Sequence, residues 1–113
     1  SECLFCAIAS GDIPADVVLS DDDLVAFRDI TPQAPVHVLV IPRAHHANAA
    51  DLANADPRLS GALLRAAGVV AAQEGIAESG YRIVTNTGEG AGQSVHHIHF
   101  HVLGGRDLAW PPG

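Results

Sequence analysis

The chain has 113 residues, 48% of them hydrophobic, and a formal net charge of −7 at pH 7. That length bounds one domain spanning residues 1–113, and the acidic balance argues against broad electrostatic binding to nucleic acid or to an anionic membrane, which needs a basic face. All six basic residues are Arg, which removes a phosphate-loop lysine or a Schiff-base mechanism from consideration.

No apolar run approaches the roughly 18 residues of a spanning helix. The N-terminus also lacks the basic-then-apolar pattern of a signal peptide. A soluble, cytoplasmic protein is therefore expected. In chain order, Cys3-Leu4-Phe5-Cys6 comes first and holds both cysteines. Its spacing suits half of a zinc site or a redox dithiol. Redox motifs of this kind usually follow a strand, and none precedes it here, so zinc is the better fit, provided two more ligands exist. The competing reading is a pair of buried, inert thiols.

Residues 4–9 predict a short helical turn stopped by Gly11-Asp12-Ile13-Pro14. Val17-Val18-Leu19 and Leu24 to Arg28 predict two strands joined by the turn chemistry of Ser20-Asp21-Asp22-Asp23. Two prolines make 29–35 a loop. His37 to Pro42 predicts a buried strand that begins with a histidine, and His45 and His46 just beyond could complete a metal site. From Asp56, a cap followed by Pro57, the apolar positions Leu59, Leu63, Ala66, Val70 and Ala77 predict a long helix ending at Gly80. Gly61, Gly68 and Gly75 recur along it every seven residues, a pattern compatible with close packing on the sheet or on a second subunit. Tyr81 to Thr85 predicts a fourth strand, and the glycines of 86–92 a turn able to present backbone amides to an anion. The lone Trp110 in the closing Trp110-Pro111-Pro112-Gly113 is expected to be buried.

Residues 93–105 hold four of the seven histidines. Read as a strand, this stretch puts His97, His99 and His101 on one face and Ile98, Phe100 and Val102 on the other. Alternate residues stand roughly 6.5 Å apart, so three imidazoles line up within reach of one small group. Burying three unpartnered imidazoles would leave several polar atoms unsatisfied, which favours metal ligation or nucleophilic chemistry over a purely structural role.

His97-Ile98-His99-Phe100-His101-Val102-Leu103 resembles the histidine triad family. Gln93-Ser94-Val95, Gly104-Gly105-Arg106 and the closing Trp110-Pro111-Pro112-Gly113 resemble its branch of nucleotide-binding phosphoramidases. Ala26-Phe27-Arg28-Asp29-Ile30, Pro32-Gln33-Ala34-Pro35 and His37 to Pro42 match it in order and spacing. The resemblance implies an α+β fold with a five-stranded antiparallel sheet, one long helix and a short N-terminal helix, paired as a homodimer whose sheets run together. It implies hydrolysis of purine nucleoside phosphoramidates through a covalent nucleotidyl-histidine intermediate.

On that resemblance His99 is the nucleophile, a neutral imidazole whose other nitrogen must be fixed as a donor by a nearby carbonyl. His101 and His37 would flank the phosphate, and Ser94 would hydrogen-bond the leaving group. Asp29 would accept from the ribose hydroxyls, Asn86 would lie near the phosphate, and Gln93 would join the nucleotide contacts. Phe5, Ile8, Ile13, Ile30 and Leu39 match the base pocket, although each is also an ordinary core residue type. Bacterial members carry a Cys-x-x-Cys, and analogy with them completes a structural zinc site of Cys3, Cys6, His45 and His97, with His46 as the alternative to His45. No catalytic metal is expected. Two other readings stand beside this one: a dinucleoside polyphosphate hydrolase or nucleotidyltransferase on the same scaffold, and a non-catalytic nucleotide- or zinc-binding module.

Overall fold

The structure, a computed structural model, describes residues 3–113. Helix α1 (Leu4–Ser10) leads to β1 (Val17–Ser20), β2 (Leu24–Arg28) and β3 (Val36–Pro42). Then come α2 (Ala49–Ala55), α3 (Pro57–Gln73), β4 (Tyr81–Val84), a 3-10 turn (Glu89–Ala91) and β5 (Phe100–Gly104). The strands form one antiparallel sheet in the order β1-β2-β3-β5-β4, the α+β architecture expected. Among the described residues, no helix is long and apolar enough to cross a membrane.

Strand alternation gives the sheet two different faces. Leu24, Ala26, Val38, Val40, Phe100 and Val102 pack with Leu59, Leu63, Ala66, Ala67, Val70 and Ala71 of α3. Val25, Phe27, Leu39 and Ile41 pack on the opposite side with Phe5 and Ala9 of α1. β3 and β5 pair so that Leu39 opposes His101 and His37 opposes Leu103, which places both histidines on this second face.

The Asp56 carboxylate accepts from the Leu59 N–H at 3.1 Å and Pro57 opens α3, as the sequence predicts. The turn between β1 and β2 is held by Asp21, whose Oδ1 accepts from the N–H groups of Asp23 and Leu24 at 2.8 and 2.9 Å.

Five expectations change. The α3 helix stops at Gln73, not Gly80, because Gly75 takes φ +75° and the Ile76 N–H returns to the Ala71 carbonyl at 3.0 Å. Ile76 is then the buried anchor, and Ala77 is exposed. A Cβ on Gly104 would stand 2.7 Å from Ile76 Cδ1, so glycine is what lets this segment dock on β5. Second, the glycine series does not pack on the sheet: a Cβ on Gly61 would meet open space, one on Gly68 only the Tyr81 hydroxyl at 3.9 Å, and Gly75 lies beyond the helix. Third, α2 lies in a stretch without a helical signature, since Leu52 is its single buried residue and alanine carries no periodicity. Fourth, β5 begins at Phe100 rather than spanning 93–105. Its partner β3 ends at Pro42, and the Ile98 N–H instead donates to the His46 carbonyl at 2.7 Å. Fifth, Trp110 is 83% exposed: Arg82 of β4 bonds the Leu108 and Ala109 carbonyls at 3.4 and 2.9 Å, and among the described residues no element covers the indole beyond them.

Leu63 is fully buried between α3 and the sheet. We expect Leu63→Ala to lose about 2–5 kcal/mol of unfolding free energy and Asp56→Ala, which removes only the cap, about 1 kcal/mol, both read from urea unfolding. Equal losses would contradict the packing described.

Candidate active site

The second face of the sheet is only partly covered by α1, and the remaining space is a cavity of about 660 Å³. Phe5, Ile8, Ile13, Ile30 and Leu39 all line it, as do Asp29, Ser94, His99 and His101. Four separate segments thus bring together nine of the residues named from the sequence. His37 lies behind His101. Asn86 is half-buried just past β4, outside the lining. Gln93 is also outside it: its Oε1 accepts from the Gly88 N–H at 2.9 Å, and its Nε2 donates to the Ala47 and Val95 carbonyls at 2.7 and 3.1 Å. Its amide braces loops and has little left for a ligand.

The hydrogen bonds fix the histidine tautomers. His99 Nδ1 lies 2.8 Å from the His97 carbonyl oxygen. A carbonyl can only accept, so Nδ1 carries the proton and the neutral ring keeps a lone pair on Nε2. The Gln33 N–H donates to His37 Nδ1 at 3.0 Å, which leaves the His37 proton on Nε2. That nitrogen stands 2.9 Å from His101 Nδ1 and 3.4 Å from Asp29 Oδ2. His37 therefore donates to His101, and His101 carries its own proton on Nε2. The result is one acceptor nitrogen on His99 and one donor nitrogen on His101, on rings whose centres are 5.0 Å apart.

Burial pushes the His37 pKa below its ordinary value, against the opposing pull of Asp29. Burial, with smaller contributions from His99 and His37, takes His101 down to about 4. Both rings are neutral around pH 7, as the relay requires. Asp29 Oδ1 accepts from the Thr31 N–H at 2.8 Å.

His97 turns away from this row. Its Nε2 donates to the Pro42 carbonyl at 2.8 Å, so Nδ1 of the neutral ring is a bare lone pair. Around it stand Cys3 Sγ at 3.3 Å, Cys6 Sγ at 3.5 Å and His45 Nδ1 at 3.2 Å, with Cys6 Sγ 3.4 Å from His45 Nδ1. The four donor atoms lie within 4.8 Å of one another. A tetrahedron built on ordinary zinc–sulfur and zinc–nitrogen bonds has edges of about 3.6 Å between S and N and about 3.3 Å between two N atoms. The observed spacings match those edges, and the residues fit a cation such as Zn²⁺. His45, not His46, is the fourth member. Asp29, His37 and His101 also lie within 4.8 Å of one another, but there the hydrogen bond between the two rings accounts for the approach.

Several lining residues were missed. Phe27 was legible, since it shares a face with Val25 and opposes Leu39. Arg28 and Asp16 were not, because their roles depend on long-range pairing. The two terminal Arg28 guanidinium nitrogens bond the Glu74 carboxylate, Nη2 at 3.1 Å, and Nε stands 3.4 Å from Asp16 Oδ2. The bond to Glu74 is the main reason the Arg28 pKa is raised.

Comparison with known proteins identifies the family. The HIT domain family model matches residues 10–108. The purine nucleoside phosphoramidase of Escherichia coli K12 is 46% identical over 107 residues, covering 95% of this chain and 90% of that protein. The 14 kDa zinc-binding protein of Zea mays is 49% identical over 116 residues, covering 100% and 89%. Among solved structures, a HIT family hydrolase from Legionella pneumophila Philadelphia 1 superposes with a TM-score of 0.96 at 52% identity, covering 99% of this chain and 100% of that one. With the family model spanning most of the chain and relatives matched along nearly their whole length, this protein belongs to the HIT family, among relatives that are hydrolases.

Proposed function

We propose that the chain hydrolyses the P–N bond of purine nucleoside phosphoramidates through a nucleotidyl-His99 intermediate. One observation carries the reading: the His97 carbonyl holds the Nδ1 proton of His99, which leaves Nε2 as a lone pair on a ring lining the cavity. The name of the E. coli relative supports the substrate class.

The purine would occupy the apolar part of the cavity between Phe5, Ile8, Ile13, Ile30 and Leu39, with Asp29 accepting from the ribose hydroxyls. His99 Nε2 attacks phosphorus, and the new N–P bond forms as the bond to the amine breaks. Ser94, exposed and lining the cavity, would hydrogen-bond the departing nitrogen. His101 donates its Nε2–H to a phosphate oxygen. Its Nδ1 already accepts from His37, so His101 orients and stabilises charge rather than taking up a proton. Water then attacks the adduct and restores His99. Over the cycle one water is consumed: the leaving nitrogen takes a proton through the Ser94 hydroxyl, the hydroxyl of the water ends on phosphorus, and the other proton of the water restores the one that Ser94 passed on.

Cys3, Cys6, His45 and His97 would hold Zn²⁺, in line with the name of the maize relative. Four protein donors leave no position for substrate, so the metal would serve as a cross-link and not as a Lewis acid. A second copy of the chain is the natural partner for β4. This is an edge strand whose Tyr81 and Ile83 are each 37% exposed, close to α3, where Leu64 and Val69 are 51% and 40% exposed. An exposed apolar edge of this kind is otherwise an aggregation hazard.

Three outcomes follow. His99→Ala should lower the rate on adenosine 5′-phosphoramidate by at least ~10³-fold, and His101→Ala by about 10²-fold; mass spectrometry of the acid-quenched parent should place a nucleotidyl adduct on His99. Undiminished turnover by His99→Ala would remove the nucleophile. A faster rate on a dinucleoside polyphosphate would move the substrate class. Analytical ultracentrifugation should give twice the 11.7 kDa chain mass, reduced to one chain by Ile83→Glu.

The third outcome concerns pH. The folded-state pKa values of His37 and His101 lie below the ordinary 6.5, with that of His101 at about 4. The unfolded chain therefore takes up protons that the folded one refuses. Their contribution to stability is complete above pH 6.5 and shrinks as pH falls toward 4. The urea midpoint should drop between pH 7 and 5, and the drop should be smaller in His101→Gln. A flat midpoint in both proteins would exclude the neutral relay.

A further inference from the structure

The cysteine–histidine cluster and the nucleotide cavity share an element. Helix α1 has seven residues, too few for a helix to hold by itself. Its Leu4, Phe5 and Ile8 nevertheless form one wall of the cavity. The Phe5 ring meets those of Phe27, His99 and His97 edge-on, at centroid distances of 5.6, 5.0 and 6.0 Å. At the far end of the helix, Arg43 donates to the Ala9 carbonyl. At the near end, Cys3 Sγ accepts from the Cys6 N–H at 3.3 Å, so one sulfur both caps the helix and faces His97.

His97 is the other half of the link. Its Nδ1 faces the sulfurs, its Nε2 is tied to Pro42, and its carbonyl holds His99. The bond to Pro42 keeps the His97 backbone, and with it the His99 tautomer, in place whatever happens at Nδ1. Besides the cluster, what holds the first turns of the helix among the described residues is the packing of Cys3, Phe5, Ile8 and Ala9 on Val25, Phe27, Leu39 and Ile41, a small contact for so short an element. Emptying the cluster should therefore release the wall of the cavity and spare the nucleophile.

We infer that Cys3, Cys6 and His45 are positioning residues for nucleotide binding: with Zn²⁺ in place they fasten α1 as a cavity wall, so metal occupancy sets nucleotide affinity while the chemistry at His99 proceeds at its own rate. The inference rests on the zinc and nucleotide readings above. If α1 is docked about a tenth of the time in the stripped protein, apparent affinity falls about tenfold, because only the docked fraction is competent to bind.

The test compares the full chain loaded with one equivalent of Zn²⁺, stripped by a chelator under reducing conditions, and refilled. Adenosine 5′-monophosphate binding is followed by calorimetry and amide exchange by mass spectrometry. On stripping, affinity should fall about tenfold and exchange should rise in residues 3–10 but not in β2 or β3, and refilling should reverse both. KM for adenosine 5′-phosphoramidate should rise in step while kcat stays within about threefold. His45 is exposed and lies outside the nucleotide cavity, so His45→Ala tests the link without removing a cavity contact. It should bind the monophosphate as weakly as the stripped parent and gain nothing from added zinc. Zinc loss with unchanged affinity, or a fall in kcat with KM unmoved, would overturn the clamp. A parent that binds no zinc would overturn the clamp together with its metal reading. A loaded parent that binds zinc but not the monophosphate would overturn the nucleotide reading itself.

Discussion

A single local hydrogen bond, from the His99 ring to the carbonyl of His97, decides what the rest of the site can be. It spans two residues, so it needs no distant element to form and survives any motion that keeps the 97–99 backbone in its conformation. It also gives His99 a role distinct from that of His101, whose Nδ1 is occupied by a proton from His37. Two adjacent imidazoles on one face thus present an acceptor nitrogen and a donor nitrogen. Burial reinforces the His37–His101 half of the assignment, since the cationic forms of those two rings would be poorly solvated.

The sheet separates stability from chemistry. The α3 face holds fifteen buried residues in one cluster, whereas the α1 face holds six and leaves the cavity open beside them. Packing on the first face fixes strand register, and register alone brings His37 next to His101 on the second. The site can thus tolerate a thin covering, because its geometry is set from behind.

Much of this was legible from residue pattern. Alternation found the strands and assigned Ile98, Phe100 and Val102 to the core opposite the histidines, and the Asp56-Pro57 pair marked the start of α3. The five apolar cavity residues came from matching a family rather than from periodicity, which cannot tell a pocket wall from core. What escaped has physical causes. Alanine-rich α2 hides its buried face, Gly75 ends α3 through a backbone conformation and not an apolar break, and the Arg28–Glu74 pair joins residues 46 apart. Gln93 joins the nucleotide contacts only by resemblance, and nothing local shows that its amide is already spent on three backbone partners. The exposure of Trp110 is equally invisible in the sequence, because Arg82 holds the tail through the Leu108 and Ala109 carbonyls and leaves the indole outside.

The bracing by Gln93 reaches further than the loop it sits in. Its side chain ties Gly88, Ala47 and Val95 together, so the position of Ser94 is set by an amide cross-brace and not by the course of the turn at Glu89–Ala91. That turn is exposed and lies between the braced points. It is the stretch where length and composition can drift, or be altered by design, while the hydroxyl beside the cavity keeps its place.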